Sequence, residues 1–107
     1  MSIYKVSENK KKYMDMLLLA DEQEDMIERY LEKGTMYVLE DDGIKGECVV
    51  TEEDRNVLEI KNLAVVPDCH KKRIWKSFDR VYCGKIQRTI LYFAGRNRGF
   101  SPNHSFL

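Results

Sequence analysis

The sequence has little of what marks disulfide-rich, zinc-binding or membrane-spanning proteins. Its three cysteines, Cys48, Cys69 and Cys83, are too few and too irregularly spaced for a disulfide framework or a zinc knuckle. We therefore expect reduced thiols and no metal site. No apolar run approaches the ~20 residues that a membrane helix needs. With 43% apolar residues in a chain of 107, the composition is that of one small soluble domain.

The start of the chain also lacks a secretory signal. The charged stretch from Glu8 to Lys12 lies where a signal peptide would have its apolar segment. We therefore expect a cytoplasmic protein that does not act at a membrane.

Acidic side chains nearly disappear after residue 66. Residues 1–66 carry 16 acidic and 9 basic side chains, whereas residues 67–107 carry 2 acidic and 9 basic ones. The last glutamate is Glu59, and the only tryptophan, Trp75, follows soon after the charge changes sign. This asymmetry indicates either two functional surfaces or two parts of different origin.

The first part of the chain predicts a strand followed by two helices. The alternation from Ser2 to Ser7 is typical of an edge strand, and Ser7 is a candidate N-cap for the next helix. Two amphipathic helices, from Asn9 to Leu19 and from Met26 to Leu31, are separated near Ala20–Asp21. Gly34 stands where the residue after a helix C-terminus is often glycine.

Three strands follow: Met36 to Glu40, Ile44 to Thr51, and Val57 to Val66. Asp42–Gly43 is a strong hairpin signal, and Pro67 ends the last strand because proline cannot donate to a strand ladder. The predicted fold class is α/β in the α+β sense. It consists of a β-α-α-β-β-β antiparallel core, a helix and a basic C-terminal tail.

This order, and the string LEIKNLAVVPDCHKK, resemble the GNAT superfamily of acetyl-CoA dependent N-acetyltransferases. In that family a strand of the pattern L-x-V-x-P leads into a loop of the form Q/R-x-x-G-x-G/A and then a helix. Leu63, Val65 and Pro67 match the strand, and His70 stands where the family has Gln or Arg. The resemblance covers residues 1–72 and implies a partial GNAT-like fold, with residues 73–107 as a distinct basic tail.

The loop departs from the family pattern at both glycine positions, which are Arg73 and Trp75. Backbone amides at a helix N-terminus bind pyrophosphate only when the chain approaches it closely, which favours glycine. Lys71, Lys72 and Lys76 would still attract phosphate by their charge. The resemblance therefore implies cofactor binding through residues 70–73, 75 and 76 that is impaired in this chain.

A one-base change of reading frame is one explanation of the basic tail. If residues 73–76 are encoded by AGG ATA TGG AAA, the same bases read one position later encode G-Y-G-K, which restores both glycines. Permitted codons further along then encode an amphipathic helix and a strand. Lys71–Lys72 would supply the adenine run at which a base is easily gained or lost, and the alternative is a native basic tail.

Two groups of residues are candidates for the chemistry of acetyl transfer. The resemblance implies that the main chain of Leu63, Ala64 and Val65 contacts acetyl-CoA, which also suits a core strand. Glu59 precedes His70 by eleven residues, as the strand glutamate base precedes the loop Gln in histone-acetylating members. Burial on a strand could raise the pKa of Glu59 towards neutrality, although an exposed strand residue fits the pattern equally well. Glu47, on the neighbouring strand, is a weaker candidate.

The leading hypothesis is a GNAT-type enzyme that acetylates an amine of a small molecule or peptide. The alternatives are a non-enzymatic nucleic-acid-binding module and a fragment without a function of its own. The basic and aromatic residues of the tail permit the former, but the sequence contains no known nucleic-acid-binding motif. We therefore expect nucleic acid not to be the partner, and the sequence leaves the acceptor and the oligomeric state open.

Overall fold

A computed structural model describes residues 1–54, 57–66, 77–97 and 105–106. Besides a 3₁₀ turn over Lys10–Tyr13, the elements are, in chain order, β1 (Ser2–Val6), α1 (Met14–Ala20), α2 (Glu24–Lys33), β2 (Thr35–Glu40), β3 (Ile44–Asp54), β4 (Val57–Val65), α3 (Ser77–Asn97) and β5 (Ser105–Phe106). In this part of the chain no helix is both long enough and apolar enough to cross a membrane.

The strands form one sheet in the order β1-β2-β3-β4-β5. The first four strands pair antiparallel, and β5 pairs parallel with β4. The predicted antiparallel core and its order of elements are therefore confirmed. Asp42 and Gly43 have φ angles of 57° and 101°, which is the left-handed backbone that the hairpin between β2 and β3 requires.

The two faces of the sheet are covered by different helices. Because side chains alternate along a strand, Met36, Val38 and Val49 face α1 and α2, whereas Tyr37, Leu39 and Cys48 belong to the cluster under α3. The helices add Leu17, Ile27 and Leu31 to the first cluster and Ile86, Ile90 and Ala94 to the second. The sheet is thus the middle layer of a three-layer domain.

The helix boundaries correct the N-cap prediction for Ser7 and confirm that Gly34 follows a helix. Helix α1 begins at Met14 after the 3₁₀ turn, and neither of these elements has a side-chain cap, so Ser7 is not an N-cap. Gly34 does follow α2, but its φ of −89° and ψ of 170° are extended rather than left-handed. Space explains the glycine, since a Cβ atom would lie 2.8 Å from the Tyr30 carbonyl oxygen and 2.9 Å from Val49 Cγ1.

The C-terminal part is more regular than its composition indicated. A helix and a basic tail were predicted after the antiparallel core, and residues 73–107 contain helix α3 and the short strand β5. Helix α3 buries Cys83, Ile86, Ile90 and Ala94, which recur every three or four residues. Cys48 is a free buried thiol, whereas Cys83 is disulfide-bonded, which corrects the expectation of three reduced thiols.

Candidate active site

The outer edge of β4 is paired with another strand only at its beginning. Val57 pairs with Ser105 and Leu58 with Phe106, and the described part of β5 ends there. The main chain from Glu59 to Ala64 has no strand partner on this edge among the described residues. Its outward N–H and C=O groups can therefore pair with an extended ligand that carries amide groups.

The predicted acetyl-CoA contacts Leu63, Ala64 and Val65 lie in the second half of β4. Ala64 and Val65 are 1% and 2% exposed, and Leu63 packs against the cluster under α3. The side chains therefore belong to the core, which leaves the main chain as the part of these residues that a ligand could reach. The other predicted contacts, His70, Lys71, Lys72, Arg73, Trp75 and Lys76, lie outside the described residues, and so does Pro67.

Glu59 lies on β4 opposite Thr51 and is part of a charged group. Its Oε2 is 2.9 Å from the Nζ of Lys61, which also lies 3.4 Å from the Oε1 of Glu53. The hydrogen bond to Glu59, followed by that to Glu53, raises the pKa of Lys61. Glu59 is one-third exposed, so its carboxylate can be reached from solvent.

A cavity of about 610 Å³ opens between α2 and this end of β3 and β4. Arg29, Tyr30 and Lys33 line it from α2, Thr51 and Glu53 from β3, and Lys61 from β4. This volume is in the usual range for a small-molecule site, roughly 300–1,000 Å³. Because Lys61 lines the cavity and contacts Glu59, the predicted base stands at the margin of a space large enough for a small acceptor.

A chain of buried hydrogen bonds supports the inner wall of this cavity. The Nδ2 of Asn62 donates to the Leu17 carbonyl oxygen at 2.9 Å and to the Tyr30 hydroxyl at 2.8 Å. The Tyr30 hydroxyl in turn donates to Asp21 Oδ2 at 3.3 Å. Burial is the main cause of the raised pKa of Tyr30, so this hydroxyl is neutral around neutral pH and can donate.

Glu47 is the most deeply buried carboxyl group in the part of the chain that the structure describes. Glu47 is 0% exposed and lies on β3, opposite Ala64 of β4. Neither of its carboxyl oxygens has a hydrogen-bond partner among the described residues. Burial raises its pKa to about 8, and the backbone of Ala64 only partly offsets this effect. Glu47 therefore holds its proton at neutral pH.

Sequence reasoning named Glu59 and Glu47 but missed Asn62, Tyr30 and the two cations of α2. Asn62 is a polar residue at a buried position of an apolar strand, and this is a signal that the sequence alone contains. Arg29 and Lys33 stand one turn apart on α2, which periodicity also shows. That both face a cavity follows only from the packing of α2 on the sheet.

Solved acetyltransferase structures resemble this chain over most of its length. A GNAT family acetyltransferase from Elizabethkingia anophelis with acetyl-CoA bound has a TM-score of 0.71 and 24% identity, over 92% of this chain and 60% of its own. A Bacillus subtilis acetyltransferase in complex with CoA has a TM-score of 0.57 and 27% identity, over 85% of this chain and 58% of its own. The IAA acetyltransferase from Bacillus cereus has a TM-score of 0.55 and 25% identity, over 87% of this chain and 61% of its own. No protein-family profile and no curated protein matches the sequence.

The chain therefore has the fold of GNAT family acetyltransferases, and it spans about three-fifths of the length of these three proteins. The match to the first of them covers 92% of this chain, which is more than residues 1–72. The resemblance thus extends into the basic C-terminal part, beyond the point that the sequence motifs reach.

Proposed function

We propose that this chain is a GNAT-type N-acetyltransferase that transfers an acetyl group from acetyl-CoA to an amine of a small molecule or peptide. The observation that carries the proposal is the outer edge of β4 from Glu59 to Ala64, which has no strand partner among the described residues. It lies beside the accessible carboxylate of Glu59, on a sheet with this fold. The solved relatives with acetyl-CoA and CoA bound support it. The proposal includes a cytoplasmic location.

The open edge of β4 suits the donor. Acetyl-CoA supplies the activated acetyl thioester, on an extended arm that contains two amide groups. Main-chain groups of Leu63, Ala64 and Val65 would pair with these amides as one strand pairs with another. Because the side chains of Ala64 and Val65 are buried, the edge that presents these groups is held in place by the core.

The amine nitrogen would form a bond to the acetyl carbon as the thioester C–S bond breaks and CoA leaves as its thiolate. Glu59 would accept the proton that the amine loses. A carboxylate with solvent access can act as a general base once an ammonium group replaces its present cation. That cation is Lys61, 2.9 Å away, and Glu53 offers Lys61 a second partner. The acceptor amine can therefore compete for Glu59 while Lys61 stays paired with Glu53.

We further propose that donor binding is weakened by the loop after β4. The family has glycines at the positions of Arg73 and Trp75, and a side chain at these positions would keep backbone amides from approaching the pyrophosphate closely. Lys71, Lys72 and Lys76 would still attract phosphate by their positive charge, without orienting it.

Calorimetric titration with acetyl-CoA, followed by an acetylation assay on a panel of amines, tests the proposal. We expect weak donor binding, slow turnover, and a further loss of turnover in Glu59→Gln but not in the exposed control Glu32→Gln. Micromolar donor affinity would overturn the proposed impairment. If acetyl-CoA does not bind at all while RNA or DNA binds with a steep dependence on salt, the nucleic-acid-binding alternative replaces this function.

A further inference from the structure

The cavity between α2 and the sheet has two oppositely charged walls. Arg29 and Lys33 line it from α2, and neither forms an ion pair within residues 1–54, 57–66 or 77–97. On the opposite wall, Lys61 is already neutralised by Glu53 and Glu59. The helix side of the cavity therefore presents two cations that have no ion-pair partner in the described part of the chain, and the strand side presents the carboxylates of Glu52 and Glu53.

The two cations on α2 carry like charges at neighbouring positions of the helix surface. Residues i and i+4 are neighbours on a helix surface, and two like charges at these positions repel each other. Arg29 and Lys33 are such a pair, and both are exposed at the cavity. An anion bound between them would relieve the repulsion, and the guanidinium group of Arg29 has the planar donor geometry that a carboxylate matches.

The strand side of the cavity has fewer cations than carboxylates. Glu53 and Glu59 share one ammonium group, that of Lys61. A second ammonium group entering the cavity would give each carboxylate a cation of its own. This places an amine beside Glu59, which is where the proposed acetylation needs it.

We propose that this cavity binds an amine that also carries a carboxylate, with the carboxylate on Arg29 and Lys33 and the amine towards Glu59. This assignment of the acceptor class rests on the proposed function for the role of Glu59, but the binding site itself does not require acetyl transfer. The cavity volume of about 610 Å³ admits an amino-acid-sized ligand with room to spare. The hydroxyl of Tyr30, fixed by Asn62 and Asp21, adds a polar group on the inner wall.

Binding of a series of ω-amino acids, from β-alanine to aminohexanoate, tests the proposal by NMR chemical-shift titration of the full chain. Each ω-amino acid is compared with the alkylamine and the carboxylate of the same length, and with an aminoalkyl phosphate. We expect the best ω-amino acid to bind at least tenfold more tightly than its alkylamine, with shifts confined to α2, β3 and β4. Equal affinity for the two, or tighter binding of the aminoalkyl phosphate, would overturn the carboxylate assignment.

Variants show whether the named cations are responsible. In Arg29→Gln/Lys33→Gln we expect the tenfold preference for the carboxylate to disappear, whereas Lys11→Gln, an exposed cation on the 3₁₀ turn that is paired with Glu28, should retain it. A preference that survives in the double variant would overturn the site. Thermal unfolding of each variant confirms that the fold is intact, as expected for exposed positions.

Parallel titration with acetyl-CoA separates this inference from the proposed function. Carboxylate-selective binding without any acetyl-CoA binding would leave the cavity assignment standing and remove the acetyltransferase function. Acetyl-CoA binding and transfer to amines without a carboxylate preference would leave the acetyltransferase function standing and remove the cavity assignment.

Discussion

Gly46 of β3 lies directly against Ile86 of α3. A Cβ atom at Gly46 would be 2.8 Å from Ile86 Cγ2 and 3.3 Å from the Ala64 carbonyl oxygen. Both neighbours are fully or almost fully buried. The absence of a side chain at Gly46 is therefore what allows α3 to pack on the sheet beside the strand that carries the candidate site.

Gly46→Ala should destabilise the protein by about 1–3 kcal/mol, because the added methyl group must displace packed core atoms. Gly84→Ala is the matched control. A Cβ atom there would meet only the far end of the Arg88 side chain, at 3.0 Å, and alanine is the better helix former by about 1 kcal/mol. Urea unfolding of both variants checks the pair, and a loss of stability in Gly84→Ala equal to that in Gly46→Ala would contradict this explanation.

Glu47 should make the stability of the protein depend on pH. Its pKa is about 8 in the folded chain, against an ordinary value of 4.5, so above pH 4.5 the unfolded chain releases a proton that the folded chain still holds. The contribution of Glu47 to stability is therefore greatest below pH 4.5, declines up to pH 8, and stays lost above it. The free energy of unfolding of the wild type should be lower at pH 9 than at pH 5, by roughly a few kcal/mol.

Glu47→Gln isolates this effect, because glutamine has a similar shape and does not ionise. Chemical unfolding from pH 4 to 9 should show the difference in free energy of unfolding between the two proteins moving in favour of the variant as pH rises. A difference that stays constant over this range would show that Glu47 titrates normally.

Asn62→Ala should cost about 1–3 kcal/mol, since it removes two buried hydrogen-bond donors. The Leu17 carbonyl keeps its bond from the Asp21 amide, 3.2 Å long, so most of the loss should come from the Tyr30 hydroxyl. A double-mutant cycle with Tyr30→Phe measures this part, and we expect a coupling free energy of roughly 0.5–3 kcal/mol. A coupling of zero would mean that the 2.8 Å contact between the two side chains contributes nothing to folding.

Restoring glycine at the two loop positions should strengthen donor binding. Arg73→Gly/Trp75→Gly is expected to lower the dissociation constant for acetyl-CoA by at least tenfold, because backbone amides could then approach the pyrophosphate. The variant Arg96→Gln, on α3, also removes one positive charge and serves as the control. Unchanged affinity in the glycine variant would remove the loop from the explanation.

The coding sequence tests the frame-shift hypothesis directly. It predicts that a one-base change near the codons of Lys71–Lys72 yields G-Y-G-K followed by an open frame beyond Leu107. The repaired product should bind acetyl-CoA better and unfold at a higher urea concentration. Codons for residues 73–107 that cannot encode the two glycines would exclude the hypothesis, and α3 and β5 already show that the present frame forms a helix and a strand.

The order of β1 to β4 and the two helices between β1 and β2 could be predicted from the sequence alone. Alternation, helical periodicity and the Asp42–Gly43 turn are local signals, and each acts on residues close together in the chain. The position of Glu59 on a partly exposed strand also follows from a local signal, the alternation of polar and apolar residues. A helix after the antiparallel core was predicted, but its bounds were not, although Cys83, Ile86, Ile90 and Ala94 follow a helical period. The basic residues between them dominate the composition.

Tertiary structure decided everything that depends on contacts between distant residues. Ser7 has the right chemistry for an N-cap, but α1 begins at Met14, after a 3₁₀ turn that no local signal predicted. The raised pKa of Glu47 comes from the two layers that exclude water from it. Arg29 and Lys33 lie opposite Lys61 and its carboxylates only because α2 packs on the sheet. Among the described residues, the outer edge of β4 is open from Glu59 to Ala64 because β5 pairs with Val57 and Leu58.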